Sequence, residues 1–290
     1  MTGQPTYMVC VGATKAGTSW LYSYLRAHPE CHMRSIKELH YFDTVAKGNF
    51  ARQIALKQAD LDALRARKSV LARFSARRRD LRDWIAVLER GCEDIAAYLD
   101  YMTAGRGARR VVGDITPAYA LLSEPALRRI ATMAADVRVV YLLRDPVARL
   151  WSQVRMLARR RVRDMADYAE TARKLMERAL TGGEARAVVR GDYAGALARL
   201  DAAVDPRRLL VLFQDDLFSG DGLVRLTRYL GIAPVDADLT RRVHEGVPLT
   251  LEADHHARAV ALLRPQYAYV EQRFGGLPES WQRSLARGAA

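Results

Sequence analysis

Cysteine is nearly absent: Cys10, Cys31 and Cys92 are the only three in 290 residues, and none sits at C-x-x-C spacing. An odd, scattered set excludes a disulfide framework and predicts a reducing compartment. The chain also lacks an uncharged apolar run approaching the roughly 20 residues that a bilayer-spanning helix needs. Met1 to Thr6 is polar, with no basic n-region or signal-type apolar core. These absences predict a cytoplasmic protein without an integral membrane segment. Histidine is sparse too, with six residues and no H-E-x-x-H. His28 and His32 have an i,i+4 offset, but Pro29 breaks any helix between them, so no metal site is expected. Lysine contributes only six of the 46 basic residues.

Half the residues are apolar and 27% are charged, the composition of a globular chain able to bury a core. The formal net charge of +13 points to an anionic partner: a nucleic acid, a membrane surface or a small anion. A general abundance of arginine and alanine weakens any reading from charge alone.

Four short apolar runs read as buried strands: Tyr7–Ala13, Val111–Ile115, Val137–Leu143 and Arg208–Phe213. Gly17 through His28 reads as a helix with Leu21, Tyr24 and Leu25 on one face, stopped at Pro29. Asp145-Pro146 fits the N-cap and first position of another helix. Residues 49–101 read as charged helix, and the chain beyond Leu223 as short helices punctuated by glycine and proline. Strands alternating with helices predict an α/β fold: a three-layer parallel sheet with helices on both faces. A single domain spanning residues 1–290 is expected, with approximately 45–105 as a helical cap insertion. In such sheets ligands sit beyond the C-terminal strand ends, here just after residues 13, 115, 143 and 213.

The first of those positions holds Gly12-Ala-Thr-Lys15-Ala-Gly17-Thr18-Ser19-Trp20. A glycine-bounded loop between a strand and a helix N-terminus gathers backbone N–H groups and a favourable dipole, a P-loop-like cradle for phosphate. It differs from G-x-x-x-x-G-K-[ST], because Thr18 follows Gly17 and the lysine lies inside the loop. Magnesium-dependent nucleoside triphosphate chemistry is disfavoured, and Asp114 is only a weak candidate for the acidic metal-binding position of that class.

Lys15-Ala-Gly-Thr-Ser19 resembles the 5′-phosphosulfate loop of sulfotransferases that use 3′-phosphoadenosine-5′-phosphosulfate (PAPS). Arg144 at a strand end, with Ser152 eight residues on in Arg144-Asp-Pro-Val-Ala-Arg-Leu-Trp-Ser152, resembles that family's 3′-phosphate motif. Lys37-Glu38-Leu-His40-Tyr-Phe-Asp43 and Gly113-Asp-Ile-Thr116-Pro117-Ala-Tyr119 resemble segments of its sugar-type and bacterial members. Phe213–Asp221 and the helix ending at Gly231 resemble its later strand, loop and helix.

The resemblance implies PAPS as sulfuryl donor without a metal, and a small-molecule or saccharide acceptor carrying a hydroxyl or amine. It implies that Lys15, Ala16, Gly17, Thr18, Ser19 and Trp20 hold the 5′-phosphosulfate, and that Arg144 and Ser152 hold the 3′-phosphate. It implies Glu38 as general base, with His40 as the alternative, and Lys37, Thr116 and Tyr119 on the acceptor side. A C-terminal loop closing over the adenosine falls loosely at Arg241–Gly246. Trp20, Tyr41, Phe42 and Trp151 are expected in the core or a pocket wall. Two other classes stay open: a P-loop kinase or phosphotransferase, which predicts magnesium-ATP binding, and a basic nucleic-acid-binding protein, which predicts salt-sensitive binding without a cofactor.

Overall fold

A computed structural model describes residues 3–66, 71–238 and 247–289. The chain order is β1 (Thr6–Gly12), α1 (Thr18–Ala27), β2 (Cys31–His32), α2 (Tyr41–Lys47), α3 (Phe50–Ala66), α4 (Leu71–Leu88), α5 (Ile95–Thr103) and β3 (Val111–Ile115). Then follow α6 (Glu124–Ala131), β4 (Val137–Leu143), α7 (Pro146–Arg161), α8 (Tyr168–Leu180), α9 (Ala185–Val189) and α10 (Tyr193–Ala203). The last part holds β5 (Leu209–Phe213), α11 (Gln214–Ser219), α12 (Asp221–Leu230), α13 (Ala253–Phe274) and α14 (Glu279–Ala289).

The five strands form one parallel sheet in the order β2-β3-β1-β4-β5. Parallel strands need crossover helices, which cover both faces, so central strands are apolar throughout. Accordingly β3 is buried at every position, and β1 and β4 at all but one each. From β1 the chain moves towards β3 and β2, whereas from β4 it moves to β5. The order reverses between β1 and β4, which opens a crevice at their C-terminal ends.

Two elements depart from the sequence reading. The edge strand β2 is only two residues long, too short for any periodicity to announce it. The region after Leu223 holds a 22-residue helix, α13, not a set of short ones, and it carries Pro265 in its interior. His256, Ala259, Val260, Leu263, Tyr267 and Val270 are buried along it, and that packing overrides the proline signal.

The helical insertion between β2 and β3 is fastened to the turn that precedes the Lys37–Asp43 segment. Asp80 on α4 accepts from Ser35 N at 2.6 Å, and Arg77 donates to Ser35 O at 2.6 Å. Arg34 pairs with Asp80 at 3.1 Å and Asp83 at 2.6 Å. Beneath that turn Tyr41, Phe42, Trp84, Tyr98 and Tyr119 form a buried aromatic cluster, with Tyr41 and Tyr98 stacked at 4.6 Å. Tyr41 and Phe42 are thus core, as the sequence suggested. Cys10 and Cys31 are buried thiols and Cys92 is exposed. No helix among the described residues is long and apolar enough to cross a membrane.

Candidate functional site

The loop from Ala13 to Gly17 leaves β1 at the crevice and delivers its amides to α1. Gly17 sits at φ 95°, a conformation open to glycine, and a side chain there would press on Gln214 at 3.2 Å. Among the described residues the amides of Gly17, Thr18, Ser19 and Trp20 have no hydrogen-bond acceptor. These are the unpaired donors expected at a helix start, and here no side chain caps them.

Arg144 leaves the end of β4 directly opposite and donates to Lys15 O at 2.9 Å. Burial comes first in depressing the Lys15 ammonium below its ordinary pKa, followed by the charges of Arg144, Arg155, Lys37 and Arg160. Among the described residues no carboxylate lies within ion-pair distance of Lys15, Arg144, Arg155 or Arg160; in contrast, Lys37 Nζ meets Glu38 Oε1 at 2.7 Å. Asp145 and Asp215 act on Arg144 electrostatically, but from beyond ion-pair distance.

Asp145 caps α7 by accepting from Ala148 N at 2.7 Å, with Pro146 at the first position, as its sequence predicts. Its other oxygen accepts from Tyr267 on α13 at 2.5 Å, so a C-terminal helix fixes the strand end that carries Arg144. Ser152 lies two turns into α7, half-buried, and its hydroxyl has no partner among the described residues. Beside it, Trp151 Nε1 donates to Leu249 O at 2.9 Å and lines a cleft of about 370 Å³ with residues 248–252, Arg173 and His255. The loop expected over the adenosine, Arg241–Gly246, lies outside the described residues.

On the β1–β3 side, Lys37 reaches Thr18 Oγ1 at 3.5 Å and so ties the Lys37–Asp43 segment to α1. His40 Nδ1 lies 3.0 Å from Asp43, and its Nε2 lies 3.7 Å from Glu38 Oε2. Burial alone would raise the Glu38 pKa, but the His40 ring and the Lys37 charge outweigh it and hold the carboxyl at about 2. Burial likewise opposes the charged form of His40, yet contacts with Asp43 and Glu38 lift it to about 9. At neutral pH the array is an ionised carboxylate set between two cations.

Lys15, Glu38 and His40 have φ values of 71°, 63° and 57°, the only positive values outside glycine among the described residues. Each costs on the order of 1 kcal/mol or more and persists only where surrounding structure enforces it. The enforcement is visible. Glu38 N donates to Ile115 O at 3.2 Å, and His40 N to Thr116 Oγ1 at 3.5 Å.

Thr116 and Tyr119 were expected to line the acceptor side, yet both have 0% exposure. They form its floor: Thr116 Oγ1 donates to Asp114 at 2.7 Å, Tyr119 OH donates to it at 2.8 Å and accepts from Tyr41 N at 2.9 Å. Tyr98 OH adds a third bond to Asp114 at 3.0 Å. Any influence on an acceptor passes through the segment above. Asp114, fully buried and accepting from three hydroxyls, is a structural hub. Among the described residues no group of three His, Cys, Asp or Glu side chains is placed to hold a metal.

The sequence reading named none of residues 187–193 as part of the site. In the structure Arg190 Nη1 donates to Thr14 Oγ1 at 3.0 Å, and Tyr193 OH donates to Arg144 O at 2.5 Å. Both contacts join positions far apart in the chain, and no local pattern signals them.

Three solved structures resemble the chain. A sulfotransferase from Alicyclobacillus acidocaldarius aligns over 97% of this chain and 99% of its own, at 22% identity and a TM-score of 0.63, and shares its fold. The sulfotransferase domain of the Synechococcus PCC 7002 olefin synthase aligns over 89% and 94% at 15% identity, TM-score 0.46. The sulfotransferase domain from the curacin biosynthetic pathway aligns over 90% and 98% at 15% identity, TM-score 0.47. No curated protein matches the chain. The Sulfotransferase family model matches residues 8–221, which takes in the loop after β1, the Lys37–Asp43 segment and the Arg144 strand end, and the chain belongs to that family.

Proposed function

We propose that this sulfotransferase takes its sulfuryl group from PAPS and delivers it to a hydroxyl or amine, with residues 1–290 working as one domain and approximately 45–105 as its cap. The observation that carries this reading is Arg144 donating to the Lys15 carbonyl at 2.9 Å, with no carboxylate within ion-pair distance of either among the described residues, beside a helix start with unpaired amides. A ligand with anionic groups at two ends fits both halves of that arrangement.

PAPS supplies an activated sulfuryl group and leaves as a 3′,5′-bisphosphate. Ala16, Gly17, Thr18, Ser19 and Trp20 hold the 5′ end through the loop and the first turn of α1. Arg144, with Ser152, grips the 3′-phosphate, for which a planar fork of donors is suited. Lys15 places its ammonium where charge grows on the departing oxygen. Because Lys15 supplies that charge, the mechanism calls for no metal. Glu38 is ionised at neutral pH and accepts the acceptor's proton. Lys37 and His40 keep its carboxylate oriented, and Thr116 and Tyr119 support the segment from below. A carboxylate held at about 2 is a weak base in the free protein. Diverting Lys37 towards the bound anion would relax that hold and strengthen it.

Calorimetric titration with 3′-phosphoadenosine-5′-phosphate, adenosine 5′-phosphate and magnesium-ATP tests the donor assignment. Metal-independent binding of the bisphosphate, at least about tenfold tighter than adenosine 5′-phosphate, is expected because one charged phosphate contact is worth that much. Preference for magnesium-ATP would overturn the donor assignment.

A further inference from the structure

Arg190 ends α9 and projects to the loop after β1, where its Nη1 donates to Thr14 Oγ1 at 3.0 Å. A hydroxyl that accepts through its oxygen still has one hydrogen to give. Among the described residues the Thr14 hydroxyl donates to nothing, and Arg190 has no carboxylate partner. Thr14 directly precedes Lys15, in the loop whose neighbouring amides are also unpaired.

The turn that carries Arg190 is firmly built. Arg149, 0% exposed, donates to Ala187 O at 2.7 Å. Gly191 lies flat on that guanidinium, and a Cβ there would collide with Nε and lie 2.9 Å from Cζ. Two residues on, Tyr193 OH bonds both the carbonyl and the amide of Arg144, at 2.5 and 3.4 Å. One turn thus braces both sides of the crevice, the β1 loop through Arg190 and the β4 end through Tyr193.

We propose that Arg190 is a positioning residue for the donor: it aims the Thr14 hydroxyl proton at the donor's 5′ end and adds positive charge there. This rests on PAPS being the donor, as argued above.

The test is a titration of wild type, Arg190→Ala, Arg190→Lys, Thr14→Val and the Arg190→Ala/Thr14→Val pair with 3′-phosphoadenosine-5′-phosphate and with adenosine 3′-phosphate. Arg190→Ala is expected to weaken the bisphosphate about tenfold, the scale of a charge-assisted hydrogen bond. Adenosine 3′-phosphate, which lacks the 5′ group, should change by less than about twofold. Arg190→Lys should recover part of the loss, and the double variant should be little worse than Arg190→Ala, because both changes remove one contact. Equal weakening of both ligands, or a fully additive double variant, would mean that Arg190 only holds the fold, and would overturn the proposal. Thermal melts of each variant identify such a structural effect directly. If wild type binds neither ligand, the donor assignment itself fails and takes this inference with it.

Discussion

The two sides of the crevice handle charge in opposite ways. On the β1–β4 side, Lys15 and Arg144 have no carboxylate within ion-pair distance among the described residues, and burial with the charges of Arg144, Arg155, Lys37 and Arg160 depresses the Lys15 ammonium. On the β1–β3 side nearly every charge is matched: Lys37 with Glu38, His40 with Asp43, and Asp114 with three hydroxyls. On the first side no described carboxylate comes within ion-pair distance of Lys15 or Arg144. The second is complete in itself and holds a carboxylate and an imidazole in strained backbone conformations. Substitutions should therefore separate: changes on the first side affect the ligand, and changes on the second also affect the fold.

The largest effect is expected from Lys15→Ala, which should lower turnover by about 10²–10³-fold, the scale of losing one donor to a developing oxyanion. Its melting temperature should not fall, because the change relieves repulsion among uncompensated cations. A marked drop would show Lys15 to be structural and erase the contrast. Glu38→Gln should lower turnover by roughly 10²-fold with bisphosphate affinity kept, and steady-state rates beside a titration would check it. Unchanged turnover would remove Glu38 from the reaction.

Tyr119→Phe removes one of three bonds to a buried carboxylate and the acceptor for Tyr41 N. The cost should be about 1–3 kcal/mol, a melting-point drop of several degrees for a chain of this size, with bisphosphate binding unaltered. The smallest effect concerns pH. Glu38 is held below its ordinary 4.5, so its contribution is full above that value and is lost as pH falls towards 2. His40 is raised above 6.5, so its contribution is full below that value and is lost as pH rises through about 9. The melting-point difference between wild type and His40→Ala should be greatest between pH 4.5 and 6.5 and shrink towards pH 9. A difference that grows with pH would reverse the sign of the coupling.

Much of the sheet was legible because buried parallel strands are short apolar runs closed by turn residues. β1, β3, β4 and β5 each fit that description. The helix start at Asp145-Pro146 was legible from local cap chemistry. β2 was not, since two residues carry no period, and α13 was obscured by Pro265, which tertiary packing tolerates. Thr116 and Tyr119 were found by motif but read as acceptor-facing, because sequence spacing does not report which side of a turn is buried.

The sequence by itself determined the glycine-bounded loop after β1, the Arg144 strand end and the family, because each lies in a contiguous stretch whose residue order sets its local conformation. Tertiary structure alone decided that Arg144 meets the carbonyl of Lys15, and that Asp114 is buried beneath the segment of Glu38 and His40 with three hydroxyls on it. It also decided that Arg190 reaches Thr14 across 176 positions. Those facts depend on strand order and on the turn clamped by Arg149. Contacts between distant segments exist only once the sheet has brought their ends together.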